Sequence, residues 1–243
     1  MSMLEVEGVS KRFGGIQALQ GCSLSVEHGS VTGLIGPNGS GKTTLFNVVT
    51  GYARPDAGTV RFEGTAIDNL PPDRILALGI GRTFQMVRIF PRLTVLENMH
   101  VPVRRQGLAG VLSGASTHEE RARVLDLLRF VGLERLKNEP AGNLSFGQRR
   151  LLEIACVLMA GPRVILLDEP GGGVNPTMLR AIAGHIRELN GQGITFFVVE
   201  HNMGFVMELC HRVIVMHRGS VIAQGDPEAV RRDPAVLEAY LGE

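Results

Sequence analysis

The sequence has few of the residues that stabilise secreted or metal-bound domains. Of its 243 residues, three are cysteine, none is tryptophan and 5% are aromatic. Cys22, Cys156 and Cys210 are far apart and form no C-x-x-C pair, so we expect neither disulfides nor a zinc site, and a reducing compartment fits. The formal net charge is +1, from 25 basic and 24 acidic residues. This balance gives no electrostatic reason to expect nucleic acid as a partner.

Long apolar runs are also missing. No stretch approaches the ~20 apolar residues that a membrane-spanning helix needs, and the acidic residues in 1–7 argue against a signal peptide. The longest apolar runs, 164–167 and 196–199, have the length of buried strands. The apolar content of 44% is that of a globular protein. We therefore expect that any role in transport depends on a partner that spans the membrane.

The first half of the chain combines strand and helix patterns. Alternating apolar residues at 4–9 and 23–27 predict half-buried antiparallel strands, and 59–62 predicts another strand. Residues 91–142 have mainly helical patterns, with an amphipathic helix at 119–130. The part at 106–116 is rich in glycine and serine and is typical of an exposed insert.

The second half alternates between helix and strand. Helices are predicted at 148–159 and 178–190, and buried strands at 164–167 and 194–199. This alternation predicts a parallel sheet with crossover helices. The remaining segments predict a hairpin at 213–224 and two short helices at 227–241.

Residues 36–44 read GPNGSGKTT and lie between a predicted strand at 31–35 and a predicted helix at 42–50. The pattern G-x4-G-K-T in this setting is typical of a phosphate-binding loop, and a glycine-rich turn with a chance lysine is the weaker alternative. Glycines let backbone N–H groups turn toward an anion, Lys42 supplies positive charge, and the hydroxyl of Thr43 suits Mg²⁺. The predicted nucleotide-binding residues are Gly36, Pro37, Asn38, Gly39, Ser40, Gly41, Lys42, Thr43 and Thr44.

Residues 164–170 read VILLDEP. A buried strand that ends in Asp is typical of a Walker B motif, so Asp168 is predicted to hold Mg²⁺ directly or through water. Glu169 suits a general base that polarises the attacking water. An ordinary acidic turn is the alternative for this motif in isolation. The sequence contains no Asn-Lys-x-Asp guanine motif, which disfavours a GTPase.

The segment LSFGQ at 144–148 resembles the LSGGQ signature of ABC ATPases, and this resemblance extends over essentially the whole chain. It implies that Ser145, Phe146, Gly147 and Gln148 contact the nucleotide of a second, head-to-tail subunit. Phe146 departs from the usual glycine. A serine N-cap before an ordinary helix also explains Ser145, and the two interpretations are compatible.

Three further positions match ABC landmarks, and a fourth departs from one. Phe13 matches the aromatic residue that stacks on adenine, although a core phenylalanine is the alternative. Gln85 matches the Q-loop, which contacts Mg²⁺ and water, and His201 matches the switch histidine at the γ-phosphate. Asn175 stands where the D-loop usually has Asp, which removes a charge. The resemblance implies that Glu169, His201 and Gln85 are catalytic and that Thr43, Gln85 and Asp168 bind the metal.

The resemblance implies an α/β P-loop NTPase with a RecA-like core, an N-terminal antiparallel β subdomain and an inserted helical subdomain. Residues 1–90 and 160–226 would form the core with the β subdomain. Residues 91–159 would form the helical subdomain with the signature, and 227–243 a helical tail.

Within this family the sequence resembles the LivG-type ATPases of branched-chain amino-acid importers, through RTFQ at 82–85, the aromatic signature residue, Asn175, EHNM at 200–203 and AYLG at 239–242. The implied cofactors are ATP and Mg²⁺. The implied partners are a second ABC ATPase subunit, alike or different, membrane permeases, and indirectly a periplasmic binding protein, at the cytoplasmic face of the inner membrane. ATPases for urea or amide import or lipopolysaccharide export are alternatives. A non-transport ABC ATPase is disfavoured, because the chain has one set of motifs and no heptad run.

Overall fold

The computed structural model describes residues 2–102 and 118–241, so the predicted insert at 106–116 lies outside the described residues. In chain order the strands are β1 (Ser2–Phe13), β2 (Ile16–Glu27), β3 (Val31–Ile35), β4 (Ala57–Phe62), β5 (Thr65–Ala66), β6 (Ile80–Arg82), β7 (Val164–Asp168), β8 (Thr195–Val199), β9 (Arg212–His217) and β10 (Ser220–Gly225). The helices are α1 (Lys42–Val49), α2 (Pro72–Ala77), α3 (Val95–His100), α4 (His118–Phe130), α5 (Phe146–Met159), α6 (Pro176–Gly191), α7 (Met203–Leu209), α8 (Pro227–Arg231) and α9 (Pro234–Leu241).

The central sheet has the strand order β10-β9-β3-β8-β7-β6. All neighbouring pairs from β9 to β6 are parallel, and β10 pairs antiparallel with β9. The parallel sheet, its crossover helices and the hairpin predicted at 213–224 are therefore confirmed. Because parallel strands end at one edge, the residues that follow β3, β7 and β8 are brought close together.

The central sheet is buried on both faces, and each face packs against a separate apolar core. Successive residues of one strand alternate between the two cores: in β8, Phe196 and Val198 pack against α5 and α6, whereas Phe197 and Val199 pack toward β1 and α1. The ring centroids of Phe46 and Phe197 are 5.1 Å apart. Burial on both faces explains why these strands appear in the sequence as unbroken apolar runs.

The second sheet is antiparallel, with the order β2-β1-β4-β5, and covers one face of the central sheet. Strands β1 and β2 are both longer than the segments predicted at 4–9 and 23–27. Their pairing contains register shifts, and Gly8 and Gly21 have φ values of 60° and 59°. Each bulge interrupts the alternation of apolar and polar residues, so the pattern shows only part of each strand.

The helical subdomain packs α3, α4 and α5 against the other face of the central sheet. An isolated bridge joins Thr94 to Pro140 and holds the start of α3 close to the segment before α5. Sequence analysis overlooked α2, β5 and β6, because each is only two to six residues long. Among the described residues, no helix is both long and apolar enough to span a bilayer.

Candidate active site

The loop between β3 and α1 has a backbone that requires glycine at two positions. Gly36 has a φ of 148°, and a Cβ there would lie 2.1 Å from the carbonyl oxygen of Met216. Gly41 has a φ of 104°, and its Cβ would lie 2.6 Å from the carbonyl oxygen of Ala18. No described side chain caps the start of α1. Its first-turn N–H groups therefore suit an anion, and the loop fits the phosphates of a nucleotide.

Lys42 places its ammonium group against this loop. Its Nζ donates to the carbonyl oxygens of Gly36 and Pro37 at 2.7 and 2.8 Å, and lies 3.3 Å from the hydroxyl of Ser40. The neighbouring Thr43 is exposed. One short loop thus combines a cation, an exposed hydroxyl and the N-terminus of a helix, which are the groups that bind a polyphosphate.

Strand β7 delivers two carboxylates that occupy different surroundings. Asp168, its last residue, is 2% exposed. Glu169 follows with a φ of 49°, a left-handed conformation that is uncommon for a residue with a side chain. Such a conformation costs about 1–3 kcal/mol and is found most often at functional sites. It lets adjacent carboxylates face different groups, with the Glu169 side chain 24% exposed.

The three predicted catalytic side chains converge. The amide Nε2 of Gln85 donates to Oε2 of Glu169 at 3.0 Å. The imidazole Nδ1 of His201 lies 3.9 Å from Oε1 of Glu169. These residues come from three separate parts of the sequence, and Glu169 is the group they share. The Gln85 hydrogen bond orients one oxygen of the carboxylate, and His201 lies beside the other oxygen, beyond hydrogen-bond distance.

Arg82 is a residue of the candidate site that sequence analysis missed. Its Nη2 donates to Oδ2 of Asp168 at 3.1 Å, and its Nη1 donates to Asn47 and Thr50 at the end of α1. Burial raises the pKa of Asp168, and the nearby Arg82 offsets only part of this effect. The guanidinium also lies 4.8 Å from the ring of Phe84. Arg82 thus connects the predicted metal ligand to α1 and to the Q-loop.

Glu200 is a second residue that was missed. It is 1% exposed and follows β8 directly. Its Oε1 accepts the N–H of Gly171 at 2.6 Å, and its Oε2 accepts the N–H groups of His201 and Asn202 at 3.1 and 3.3 Å. The carboxylate holds the backbone of His201 beside the segment that follows Glu169. The sequence does contain one signal for Glu200: it is an acidic residue that follows an apolar run and directly precedes the predicted catalytic histidine.

A third missed feature is the buried ion pair of Arg150 and Glu153 on α5. Nη1 of Arg150 lies 2.9 Å from Oε2 of Glu153, and the two side chains are 1% and 5% exposed. Burial raises the pKa of Glu153, against the opposing effect of Arg150. Nothing in the local sequence distinguishes this pair from an ordinary exposed i, i+3 pair on a helix surface.

The predicted signature segment starts α5. Ser145 is the N-cap: its hydroxyl accepts the N–H of Gln148, whose side chain accepts the N–H of Ser145. A Cβ on Gly147 would lie 2.7 Å from Met178, and Phe146 is 44% exposed. In the described part of the chain, no hydrogen bond joins residues 145–148 to Gln85, Glu169 or His201. The serine N-cap is therefore confirmed.

Phe13 lies at the end of β1 with 51% of its surface exposed, and Lys11 Nζ is 5.5 Å from its ring. The alternative of a core phenylalanine is therefore wrong. An exposed aromatic ring at the end of a strand is able to stack on a planar base.

Comparisons with known proteins agree with this geometry. The "ABC transporter" family model matches residues 19–172, and the "Branched-chain amino acid ATP-binding cassette transporter" model matches residues 220–243. The high-affinity branched-chain amino acid transport ATP-binding protein BraF of Pseudomonas aeruginosa is 39% identical over 250 residues, covering 99% of this chain and 98% of the relative. The probable branched-chain amino acid transport ATP-binding protein LivG of Archaeoglobus fulgidus is 40% identical, covering 100% and 96%.

Solved structures give the same result. A nucleotide-free ATP-binding cassette from an ABC transporter has a TM-score of 0.90 at 39% identity, and an ADP conformation of such a cassette has 0.89 at 39%; each comparison covers 100% of both chains. A dimeric cassette in a post-hydrolysis state with ADP and Pi has a TM-score of 0.79 at 28% identity, covering 93% of this chain and 99% of that one.

The Arg82–Asp168 pair generates a stability prediction. Arg82→Met leaves Asp168 buried without its cation, so we expect the free energy of unfolding at pH 7 to fall by about 3–5 kcal/mol. The pKa of Asp168 then rises further, and protonation relieves the penalty. The difference in free energy of unfolding between wild type and variant should therefore become smaller as the pH falls from 7 toward 5. Urea unfolding of both proteins at both pH values measures this difference.

The matched control is Arg187→Met, which breaks the exposed ion pair with Glu208. We expect it to cost less than about 1 kcal/mol at either pH. A loss for Arg82→Met that is equally small, or that grows at pH 5, would contradict the assignment of Asp168 as a buried charge neutralised by Arg82.

Proposed function

Because this chain belongs to the ABC transporter family, as an ATP-binding subunit that hydrolyses ATP, we propose that it drives import of branched-chain amino acids at the cytoplasmic face of the cell membrane. The convergence of Gln85 and His201 on Glu169, beside the phosphate-binding loop, carries the catalytic part of this proposal. The substrate is inferred from the names of the relatives and from the family model that matches residues 220–243.

We propose that the working site is shared between two subunits. The loop at 36–44 binds the phosphates of ATP, and Phe13 stacks on adenine. Residues 145–148 of a second copy, or of a related ATPase subunit, close over the γ-phosphate from the opposite side. In the described part of the chain, this segment forms no hydrogen bond with Gln85, Glu169 or His201, which supports the arrangement, as does the dimeric cassette that the chain resembles.

In the proposed reaction, Glu169 accepts a proton from the attacking water and His201 stabilises the transferring phosphoryl group. Gln85 keeps the Glu169 carboxylate in position through its 3.0 Å hydrogen bond. Thr43, Gln85 and Asp168 offer the hard oxygen ligands that Mg²⁺ prefers, so their chemistry fits this ion. When held by these residues, the ion would supply positive charge that offsets the negative charge of the phosphates. Most of the rate gain then comes from positioning and electrostatics.

Glu169→Gln tests the proposed base. The amide cannot accept the proton from water, so we expect kcat for ATP hydrolysis to fall at least 100-fold. ATP binding should persist, and ATP-dependent dimers should accumulate because the nucleotide is no longer consumed. Steady-state phosphate release and size-exclusion chromatography with ATP measure these two effects.

The control for this experiment is Glu208→Gln, which makes the same chemical change at an exposed glutamate of α7. It should retain kcat within about twofold. Wild-type turnover by the Glu169 variant would remove Glu169 as the base and, with it, the catalytic part of the proposal.

Ser145→Ala tests the shared site. If Ser145 contacts the nucleotide of the partner, kcat should fall about tenfold or more, while the Kd for ATP of the isolated monomer changes less than twofold. The variant also loses an N-cap, which costs about 1 kcal/mol of stability. Calorimetric titration of the monomer and turnover at dimer-forming concentrations separate the two quantities.

Thr94→Ala provides a closely matched control, because Thr94 caps α3 with the same capping box, formed with Glu97. It should lose a similar amount of stability and keep its turnover. Equal losses of monomer binding and turnover in Ser145→Ala would place the serine in its own chain's site and contradict a shared one.

We propose that the membrane permease docks in an apolar groove between the core and the helical subdomain. The groove encloses about 390 Å³ and its lining includes Tyr52, Ile75, Phe84 and Phe90. Arg82 also lines it and contacts Asp168, so the groove is adjacent to the catalytic edge of the sheet. A short amphipathic segment of the permease is the partner that such a surface suits. The proposal keeps the domain bounds expected from the sequence, with the helical subdomain at 91–159 and a helical tail at 227–243.

Leu76→Glu tests both docking and substrate. Leu76 lies on α2 and lines the groove, so a charge there should reduce co-purification with the permeases and lower uptake of labelled leucine or valine at least tenfold. Leu237→Glu, at an exposed leucine of α9, is the control and should retain both co-purification with the permeases and uptake. Normal leucine uptake in Leu76→Glu would contradict the docking groove.

The proposed substrate is tested with the wild-type protein. If the wild-type protein supports uptake of urea or acetamide in place of leucine, the proposed substrate is wrong.

A further inference from the structure

The Arg150–Glu153 pair connects two segments that have separate roles in the proposed function. We propose that these two residues are positioning residues that couple the signature segment, on which the partner's nucleotide acts, to Gln85 and Glu169 of the same chain. The inference rests on the proposed shared site and adds a route by which one ATP site of the dimer affects the other.

The guanidinium of Arg150 contacts both catalytic segments through their backbone. Nη1 donates to the carbonyl oxygen of Phe84 at 2.6 Å, as well as to Glu153. Nη2 donates to the carbonyl oxygens of Gln85 and Glu169 at 2.9 and 3.4 Å. One buried side chain of α5 therefore holds both the residue that orients the base and the base itself.

Glu153 completes the connection from the same helix. Its Oε1 accepts the N–H of Phe84 at 3.3 Å and the N–H of Arg88 at 3.1 Å, while its Oε2 accepts from Arg150. The segment from 84 to 88 is thus bound at its carbonyl oxygens by the cation and at its N–H groups by the anion. Because both partners are on α5, a movement of this helix moves the Q-loop with it.

The signature segment and the ion pair share one rigid element. Ser145 is the N-cap of α5, and Arg150 lies five residues further along it, a distance of about 7.5 Å at ~1.5 Å per residue. A helix transmits displacement along its axis because its hydrogen bonds resist stretching. A contact between residues 145–148 and a nucleotide on the partner therefore reaches Gln85 and Glu169 through a single helix.

Arginine is suited to this position because its planar fork presents donors in two directions, toward the Q-loop and toward Glu169. A lysine has one nitrogen and cannot reach all these acceptors. The Nε of Arg150 is buried with no partner among the described residues. A chain under selection for stability alone would favour an apolar pair here, since such replacements are often neutral or stabilising. The presence of a buried ion pair despite its cost in free energy of folding is consistent with a role in coupling.

Hydrogen–deuterium exchange of residues 84–90 measures the coupling directly. The background is Glu169→Gln, in which ATP-dependent dimers persist. Adding ATP should slow exchange of this segment about tenfold in the background protein. In the added double variant Arg150→Met and Glu153→Met, which removes both charges, dimers should still form but the ATP-induced change should fall below twofold. Arg150→Lys should give an intermediate change.

Thermal unfolding verifies that each variant is folded, and Arg123→Met is the matched control. Arg123 donates to the carbonyl oxygen of Leu158 at the other end of α5 and should leave the ATP-induced protection unchanged. A tenfold protection in the double variant, or full protection in Arg150→Lys, would overturn the coupling while leaving the proposed function intact. Absence of an ATP-dependent dimer in the background protein would instead overturn the shared site and the coupling together.

Discussion

The structure depends on a sheet that is buried on both faces and ends, at one edge, in charged and polar groups. Strands β3, β8 and β7 are neighbours and parallel, so the phosphate loop, Glu200 with His201, and Asp168 with Glu169 emerge side by side. The apolar layers on both faces fix the positions of these strands to within the tolerance of a packed core. Catalytic geometry is thereby set by the same packing that stabilises the fold.

This arrangement creates a problem of charge burial, because a carboxylate at the end of a doubly covered strand has little access to water. The chain solves it with partners from distant parts of the sequence. Arg82 neutralises Asp168, and the backbone N–H groups of the following turns satisfy Glu200. Of the three carboxylates Asp168, Glu169 and Glu200, Glu169 is the one that remains partly exposed, next to Gln85 and His201. Its proposed role is the one among the three that requires contact with water.

The residues that could be predicted from the sequence belong to local motifs. The glycines and Lys42 of the phosphate loop, and Asp168 with Glu169, are recognised because their chemistry needs adjacent positions in the chain. Arg82 and Arg150 could not be found in this way, since their partners lie 86 and up to 66 residues away and no spacing rule connects them. The ends of β1 and β2 were not predicted because bulges interrupt their pattern, and β6 was not predicted because it is short. In each case the strand is defined by pairing with its neighbours in the sheet and not by a local sequence pattern.

Asn175 shows how a departure from the family pattern can preserve geometry while changing charge. Its side chain accepts the N–H of Met178 at 2.8 Å and caps α6, and Asp and Asn are about equally good at an N-cap. The path of the D-loop therefore does not require the usual Asp. What is lost is a negative charge near a helix N-terminus, a favourable interaction of about 0.3–1 kcal/mol at an exposed site. Met178 of this same helix packs against Gly147 of the signature segment, so the substitution changes the charge beside the surface that we propose faces the partner subunit.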